Sequence, residues 1–247
     1  MPIVRVSIGG RVFAPSWLMT ALTVALAMLF VRLGEWQWDR GAHRQAQWEA
    51  FARGSAQALP LGARELAALP RFQRIEVAGS LDAAHQFLLD NRTHQGRAGY
   101  EVLTPLHLED GRTLLVNRGW VAFTGSRARL PDVSLPPAAH SRLRGRIDEL
   151  PVGGLELGRA PPPPGAQWPK VTSYPDMTQL AQALGASLEP RILLLDRDAP
   201  LGYVREWQPP GLSPARHWSY AIQWWSFAVA LVAIWALLSV RRPQAVA

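Results

Sequence analysis

Tyr220-Ala221-Ile222-Gln223-Trp224-Trp225-Ser226-Phe227-Ala228-Val229-Ala230-Leu231-Val232-Ala233-Ile234-Trp235-Ala236-Leu237-Leu238-Ser239-Val240 runs for 21 residues without a charge. As a helix it would rise about 31 Å, which matches a hydrocarbon core of about 30 Å. A second uncharged stretch, residues 13–31, has 19 residues and would rise about 28 Å. Both read as membrane spans. The first is longer than the apolar core of a secretory signal, and no small-residue cleavage site follows it before Arg32, so it reads as an uncleaved anchor.

The flanks set the expected orientation. Arg5 and Arg11 precede the first span, Arg241 and Arg242 follow the second, and neither tail carries an acidic residue. The positive-inside rule therefore puts both tails in the cytoplasm and the middle of the chain outside. With the four tail arginines set aside, 22 basic and 19 acidic residues remain, so the formal charge of +7 does not concentrate in the middle. The basic residues are scattered arginines without a dense cluster, and nucleic acid is not an expected partner. Absence of cysteine removes disulfides, thiolate metal sites and cysteine nucleophiles.

Between the spans the chain reads first as helix and then as sheet. Leu33, Trp36, Trp38, Trp48 and Phe51 alternate with charges and meet no proline before Pro60, so the first span is expected to continue as an amphipathic helix. Arg32, Trp36 and Arg40 then share one face, where guanidinium can stack on indole; an interfacial aromatic belt with snorkelling arginines is the competing reading. Beyond Pro70 the apolar period shortens to that of strands. Leu106-His107-Leu108 and Thr113-Leu114-Leu115-Val116 flank Glu109-Asp110-Gly111-Arg112, whose Asp-Gly step signals a hairpin. Further strands are expected near residues 72–77, 86–90, 100–106, 143–147, 191–195 and 202–206. About seven short strands with turn signals imply an antiparallel sheet curled toward a barrel. Residues 176–184 read as one short helix stopped by Gly185, and residues 161–164 as a stiff polyproline loop.

Local chemistry is thin. His43, His85, His94, His107, His140 and His217 never fall at metal-ligand spacing, and neither a phosphate-cradling glycine loop nor a nucleophile elbow is present. Asp196 and Asp198 resemble an acid pair, although turn and capping roles are commoner for aspartate. The polar group that stands out is the mouth of the second span, Arg216-His217-Trp218-Ser219-Tyr220, because polar groups at a membrane boundary mark functional sites.

Several motifs occur in a recognisable order: Val31-Arg32-Leu33-Gly34-Glu35-Trp36-Gln37-Trp38-Asp39-Arg40, Asp90-Asn91-Arg92, Gly99-Tyr100, Thr104-Pro105-Leu106, Leu115-Val116-Asn117-Arg118-Gly119-Trp120-Val121, and residues 217–224. In that order they resemble the surfeit locus protein 1 family of cytochrome c oxidase assembly factors. The resemblance extends from about Arg32 to Trp235 and fits only loosely over residues 130–190. It implies a helper of cytochrome c oxidase maturation, not an enzyme, and a haem a ligand at the histidine opening the second span, here His217. Tyr220 and Trp224 lie at i+3 and i+7 from His217 and could wall one side of a haem. An interfacial histidine that caps the helix or meets lipid headgroups is the bland alternative. Trp36 and Arg40 would complete the pocket, arginine pairing a propionate, unless they serve helix packing. Gln223 is expected as an interhelical hydrogen-bond partner. Asn117, Arg118 and Trp120, with Gly119, offer a partner-docking face or, alternatively, core packing.

The expected architecture is an α+β membrane protein. A cytoplasmic tail (1–12) leads to a transmembrane helix (13–31), its helical extension (32–60) and an extracytoplasmic β-rich domain (61–216). A second transmembrane helix with its polar mouth (217–240) and a cytoplasmic tail (241–247) follow. Expected partners are subunit I of the oxidase, haem a synthase, other assembly factors and membrane lipid. Without an amphipathic, arginine- and serine-rich presequence before Phe13, a bacterial inner membrane is the expected location. A haem-free scaffold for subunit I is the runner-up function, and an extracytoplasmic binding module or enzyme the remote one.

Overall fold

A computed structural model describes residues 6–8, 11–53, 57–136, 140–151, 162–165 and 167–241. The tail arginines Arg5 and Arg242, and Pro161 of the polyproline stretch, lie outside them. The elements run β1 (Val6–Ile8), β2 (Arg11–Phe13), α1 (Trp17–Arg53), β3 (Leu59–Pro60), β4 (Arg74–Leu81), β5 (Phe87–His94), β6 (Arg97–Leu108) and β7 (Thr113–Ala122). They continue with β8 (His140–Asp148), β9 (Lys170–Thr172), α2 (Met177–Leu184), β10 (Ile192–Leu195), α3 (Pro214–Ser239) and β11 (Val240–Arg241). Two compact units result, one formed by Met1–Trp48 with Gly211–Ala247 and the other by Glu49–Pro210.

The first unit is a pair of helices. Both α1 and α3 are long and apolar enough to cross a membrane, and only 11% of each apolar window is buried within the protein. A core helix of a soluble protein would bury most of it. Thr20, Thr23, Ala27, Phe30, Gly34, Gln37 and Gly41 follow one another at alternating steps of three and four residues, and each is buried or half-buried. Pro214, His217, Ala221, Trp224, Ala228, Leu231 and Trp235 repeat the pattern on α3. That spacing is the 3.5-residue period of a coiled pair, with small residues where the backbones come close. The helices are antiparallel, because Trp235 near the end of α3 donates from Nε1 to Thr20 Oγ1 (3.1 Å) and Phe30 stacks on Trp224. At that end Ala14 N–H donates to Ser239 O (2.8 Å), and β2 pairs with both β1 and β11. The helix begins at Trp17 rather than Phe13, since Pro15 and the pairing of β2 hold the preceding residues extended. It is described as far as Arg53, and Pro60, expected at its end, belongs to β3 instead.

The second unit is a closed sheet. β4 pairs with β8, β8 with β10, β10 with β7, β7 with β6, and β6 returns to β4. Numbered in chain order, the ring reads 1-2-3-5-4, the connectivity of a Greek-key barrel of the OB type. The sheet is mixed rather than wholly antiparallel, because β7 and β10, β3 and β4, and β5 and β9 run parallel. β10 runs antiparallel to β8 on one edge and therefore meets β7 in parallel on the other. β6 shares its second edge between two neighbours: Leu103 still faces Phe87 of β5, whereas Leu106 faces Leu81 of β4. Pro105 falls at that change of partner, where its missing N–H costs little.

Alternation explains the apolar runs. Leu114, Val116, Leu193 and Leu195 fill the barrel interior with Ile75, Val77, Leu106, Leu143 and Ile147. Leu115, Ile192 and Leu194 point outward and are covered by Leu180 of α2 with Phe87 and Leu103. Both faces of β7 and β10 are therefore dry, so their sequences read as continuous apolar stretches. The hairpin at residues 109–112 and the short helix form as expected. Gly111 adopts φ 86°, Asp176 Oδ1 accepts from Gln179 N–H (3.1 Å), and Gly185 ends α2 at φ 73°. The stretch 202–206 makes only an isolated bridge, Val204 to Trp120.

Candidate functional site

Pro214 at the first position of α3 supplies a preset φ and no wasted donor, which starts the helix three residues before His217. His217 thus occupies the first turn, half-buried on the flank facing α1. Its Nδ1 lies 2.8 Å from Oε1 of Gln37, the one hydrogen bond of the ring among the described residues. Gly34 and Gly41 bracket Gln37. A methyl group at Gly34 would stand 2.3 Å from Trp225 Nε1, and one at Gly41 would stand 2.4 Å from Trp218 Nε1. The two glycines therefore set how closely α3 approaches, and with it the reach from Gln37 to His217.

Aromatic rings line both sides of this contact. On one flank Trp38 lies between Trp218 and Trp225, with ring centroids 5.9 and 5.8 Å away. On the flank of His217, Trp224 stacks on Phe30 (5.7 Å, 28°), and Phe227 meets both rings edge-on. Such offset and edge contacts suit the quadrupoles of the rings and keep the contact region apolar.

The expected pocket residues are brought together only in part. Trp224 lies below His217 on the same flank, and Tyr220 lies between them, 39% exposed. Trp36 is 54% exposed and stands about 150° around α1 from the Gly34–Gly41 stripe. Arg40 is also exposed and stacks on Trp36 at 6.0 Å, as its spacing implies. This pair faces away from α3 and does not join His217. Gln223 is exposed, about 150° from the Ala221–Ala228 stripe, so the interhelical amide is Gln37. Its legible signal in the sequence was Gly34-x-x-Gln37-x-x-x-Gly41 within the three-and-four repeat.

In the barrel domain, Asn117 and Arg118 are 1% and 2% exposed, which assigns them to the interior rather than to an outer face. Arg118 donates from Nε to Leu201 O (2.7 Å) and from Nη1 to Gln86 Oε1 (2.9 Å) and Val133 O (3.2 Å), and its guanidinium lies over the Tyr203 ring. Burial pushes its pKa down, and the Tyr203 hydroxyl acts the other way. Asn117 donates to Glu101 Oε2 (2.7 Å) and accepts from Gly119 N–H (3.1 Å). Gly119 has φ 111° and lies against Val204 O, so a side chain there would be strained as well as blocked. Trp120 is half-buried, donating to Arg92 O (3.3 Å) beside the His94 ring. Asp196, for its part, is held by Arg74 at 2.5 Å, an ion pair rather than half of an acid pair.

Two apolar helices near the ends of the chain, with a mixed barrel domain between them in sequence, define an α+β membrane protein whose clearest candidate site is a helix-borne histidine. The model of the SURF1 family matches residues 24–229, and the chain belongs to that family. Among its relatives are uncharacterised SURF1-like proteins of Mycobacterium bovis and Mycobacterium tuberculosis. Each is 28% identical over 229 residues, covering 87% of this chain and 80% of the relative. A SURF1-like protein of Dictyostelium discoideum is 42% identical over 53 residues, 22% of this chain and 20% of that protein.

Proposed function

We propose that this chain shelters or hands over haem a while subunit I of cytochrome c oxidase matures, with His217 as the axial ligand of the haem iron. Membership of the SURF1 family supports the broader role, assembly of cytochrome oxidase by a membrane protein that is not of a known enzyme family. The observation that carries the finer reading is the His217–Gln37 contact. It engages Nδ1 and leaves Nε2 without a hydrogen-bond partner among the described residues. A porphyrin brings four nitrogen ligands of its own, so a single imidazole suffices, and neutral imidazole is a usual axial ligand. Trp224, with Phe30 and Phe227, supplies the apolar aromatic wall that a macrocycle requires, and Tyr220 borders it. Haem would supply the visible chromophore and the redox centre; the chain's residues hold, orient and shield it.

In this reading both tails are cytoplasmic and the barrel domain is periplasmic, in a bacterial inner membrane. Arg11 and Arg241 support it, because they belong to one small sheet and so share one side of the membrane. Subunit I, haem a synthase and other assembly factors are the proposed partners.

The test is co-expression with a haem a synthesis pathway, followed by purification and visible spectroscopy. A haem spectrum that is lost or altered in His217→Ala is the expected result. A colourless protein, or an unchanged spectrum in the variant, would overturn the ligand. A colourless protein that still retains subunit I would instead support a haem-free scaffold.

A further inference from the structure

We infer that Gln37 is the positioning residue of the His217 imidazole: it holds the ring as the Nδ1–H tautomer and leaves the Nε2 lone pair as the outward donor. The inference rests on the haem reading for its purpose but on the helix pair for its geometry.

A neutral imidazole has one N–H and one lone pair, and the partner of one nitrogen decides which is which. Oε1 of Gln37 stands 2.8 Å from Nδ1, so Nδ1 is the donor and the lone pair resides on Nε2. In metal and haem sites the nitrogen that does not bind the metal is commonly held in this way, which fixes the ring plane and raises ligand basicity. An amide is well suited to the position. It accepts without carrying a charge into the low-polarity contact between two helices, where a carboxylate would incur a large desolvation cost.

The surrounding sequence holds Gln37 in place. Gly34 lies three residues before it and Gly41 four residues after, and each accommodates the indole of Trp225 or Trp218. Those two indoles are themselves seven residues apart and clasp Trp38, the neighbour of Gln37. Two anchors on one flank thus hold the amide against the imidazole on the other. The imidazole needs such a partner because His217, in the first turn of α3, has its ring carried by a single rotatable side chain.

The test separates tautomer from haem. The full-length chain in detergent, labelled with 15N-histidine and free of haem, is examined by long-range proton–nitrogen correlation NMR. Wild type is expected to show His217 protonated at Nδ1. Gln37→Leu is expected to move the population toward the Nε2–H form usual for free imidazole, and Gln37→Glu, which keeps an acceptor, is expected to retain Nδ1–H. An Nε2–H wild type, or a Gln37→Leu variant identical to it, would overturn the assignment. The second arm is the midpoint potential of haem-loaded protein, expected to fall in Gln37→Glu and rise in Gln37→Leu; equal values in all three would also overturn it. If haem uptake fails in every protein while the tautomers behave as stated, the haem reading has failed and the positioning role stands.

Discussion

The backbone of Gly41 lies so close to the indole of Trp218 that a methyl group there would stand 2.4 Å from Nε1. Gly34 repeats the relationship with Trp225 one heptad earlier at 2.3 Å. Replacing Gly41 by alanine gains about 1 kcal/mol of helix propensity. It also overpacks a rigid ring, which costs about 1–3 kcal/mol. The overpacking is expected to win narrowly for Gly41→Ala, with a net loss of about 1 kcal/mol. Gly41→Leu and Gly34→Leu are expected to separate the helices and lower the melting temperature far more. Thermal unfolding in detergent, followed by tryptophan fluorescence, checks the order; a leucine variant as stable as wild type would refute it.

Arg118 is a buried cation whose partners are carbonyls, an amide oxygen and an aromatic ring. Arg118→Leu leaves Leu201 O, Val133 O and Gln86 Oε1 short of a donor in a dry interior, and a loss of about 3 kcal/mol is expected. Arg118→Lys keeps the charge but not the planar fork, and should recover only part of it. Denaturant unfolding of the full chain measures both. Because Arg118 does not reach the surface, any loss of partner binding in these variants should follow the loss of folded protein.

Asp82 is clasped by two histidines, with Oδ2 2.7 Å from His85 Nδ1 and 3.5 Å from His107 Nε2. Burial alone would raise its pKa, but the hydrogen bond with the His85 ring and those from the Ala84 and His85 N–H groups outweigh it and hold the carboxyl below its ordinary 3.8. A depressed folded-state value stabilises the fold fully above the ordinary value and ceases to do so as pH falls through the folded-state one. Asp82→Asn should therefore melt below wild type at pH 7, by about 1 kcal/mol, with the gap closing below pH 3.8. Melting curves across pH test this, and a gap that persists in acid would contradict it.

Lys170 is the one lysine among 26 basic residues, and it is only 4% exposed. Its ammonium lies over the Trp168 ring at 4.7 Å and near Ala183 O (3.4 Å) in the last turn of α2, where a cation complements the helix dipole. Amine-directed acylation of the native protein should spare Lys170 and modify it only after unfolding, as read by peptide mass spectrometry. Lys170→Met should cost about 1 kcal/mol.

Much of the fold was written locally. The Asp110-Gly111 turn, the helix started by Asp176 and stopped by Gly185, and the two long apolar runs each follow from a few adjacent residues. The small sheet of β1, β2 and β11 was not legible, because strands of two or three residues form only when two helices bring distant ends of the chain together. The parallel pairing of β7 with β10 was hidden because it joins strands far apart in the chain, as Ile192 with Leu115. Sequence spacing put His217, Tyr220 and Trp224 on one face but could not tell which way that face turned.

The sequence by itself determined the two membrane-length helices, the β-rich segment between them and the presence of a histidine at the mouth of the second helix. These depend on composition and period along the chain, which short-range sterics and apolar burial translate directly into structure. The tertiary structure decided that Gln37 rather than Gln223 meets His217, that Trp36 and Arg40 face away from it, and that Arg118 is interior. Those outcomes depend on how Gly34 and Gly41 let one helix settle against the tryptophans of the other, and on how the ring of strands closes. A contact such as that between Gln37 and His217, 180 positions apart, leaves no mark in local periodicity.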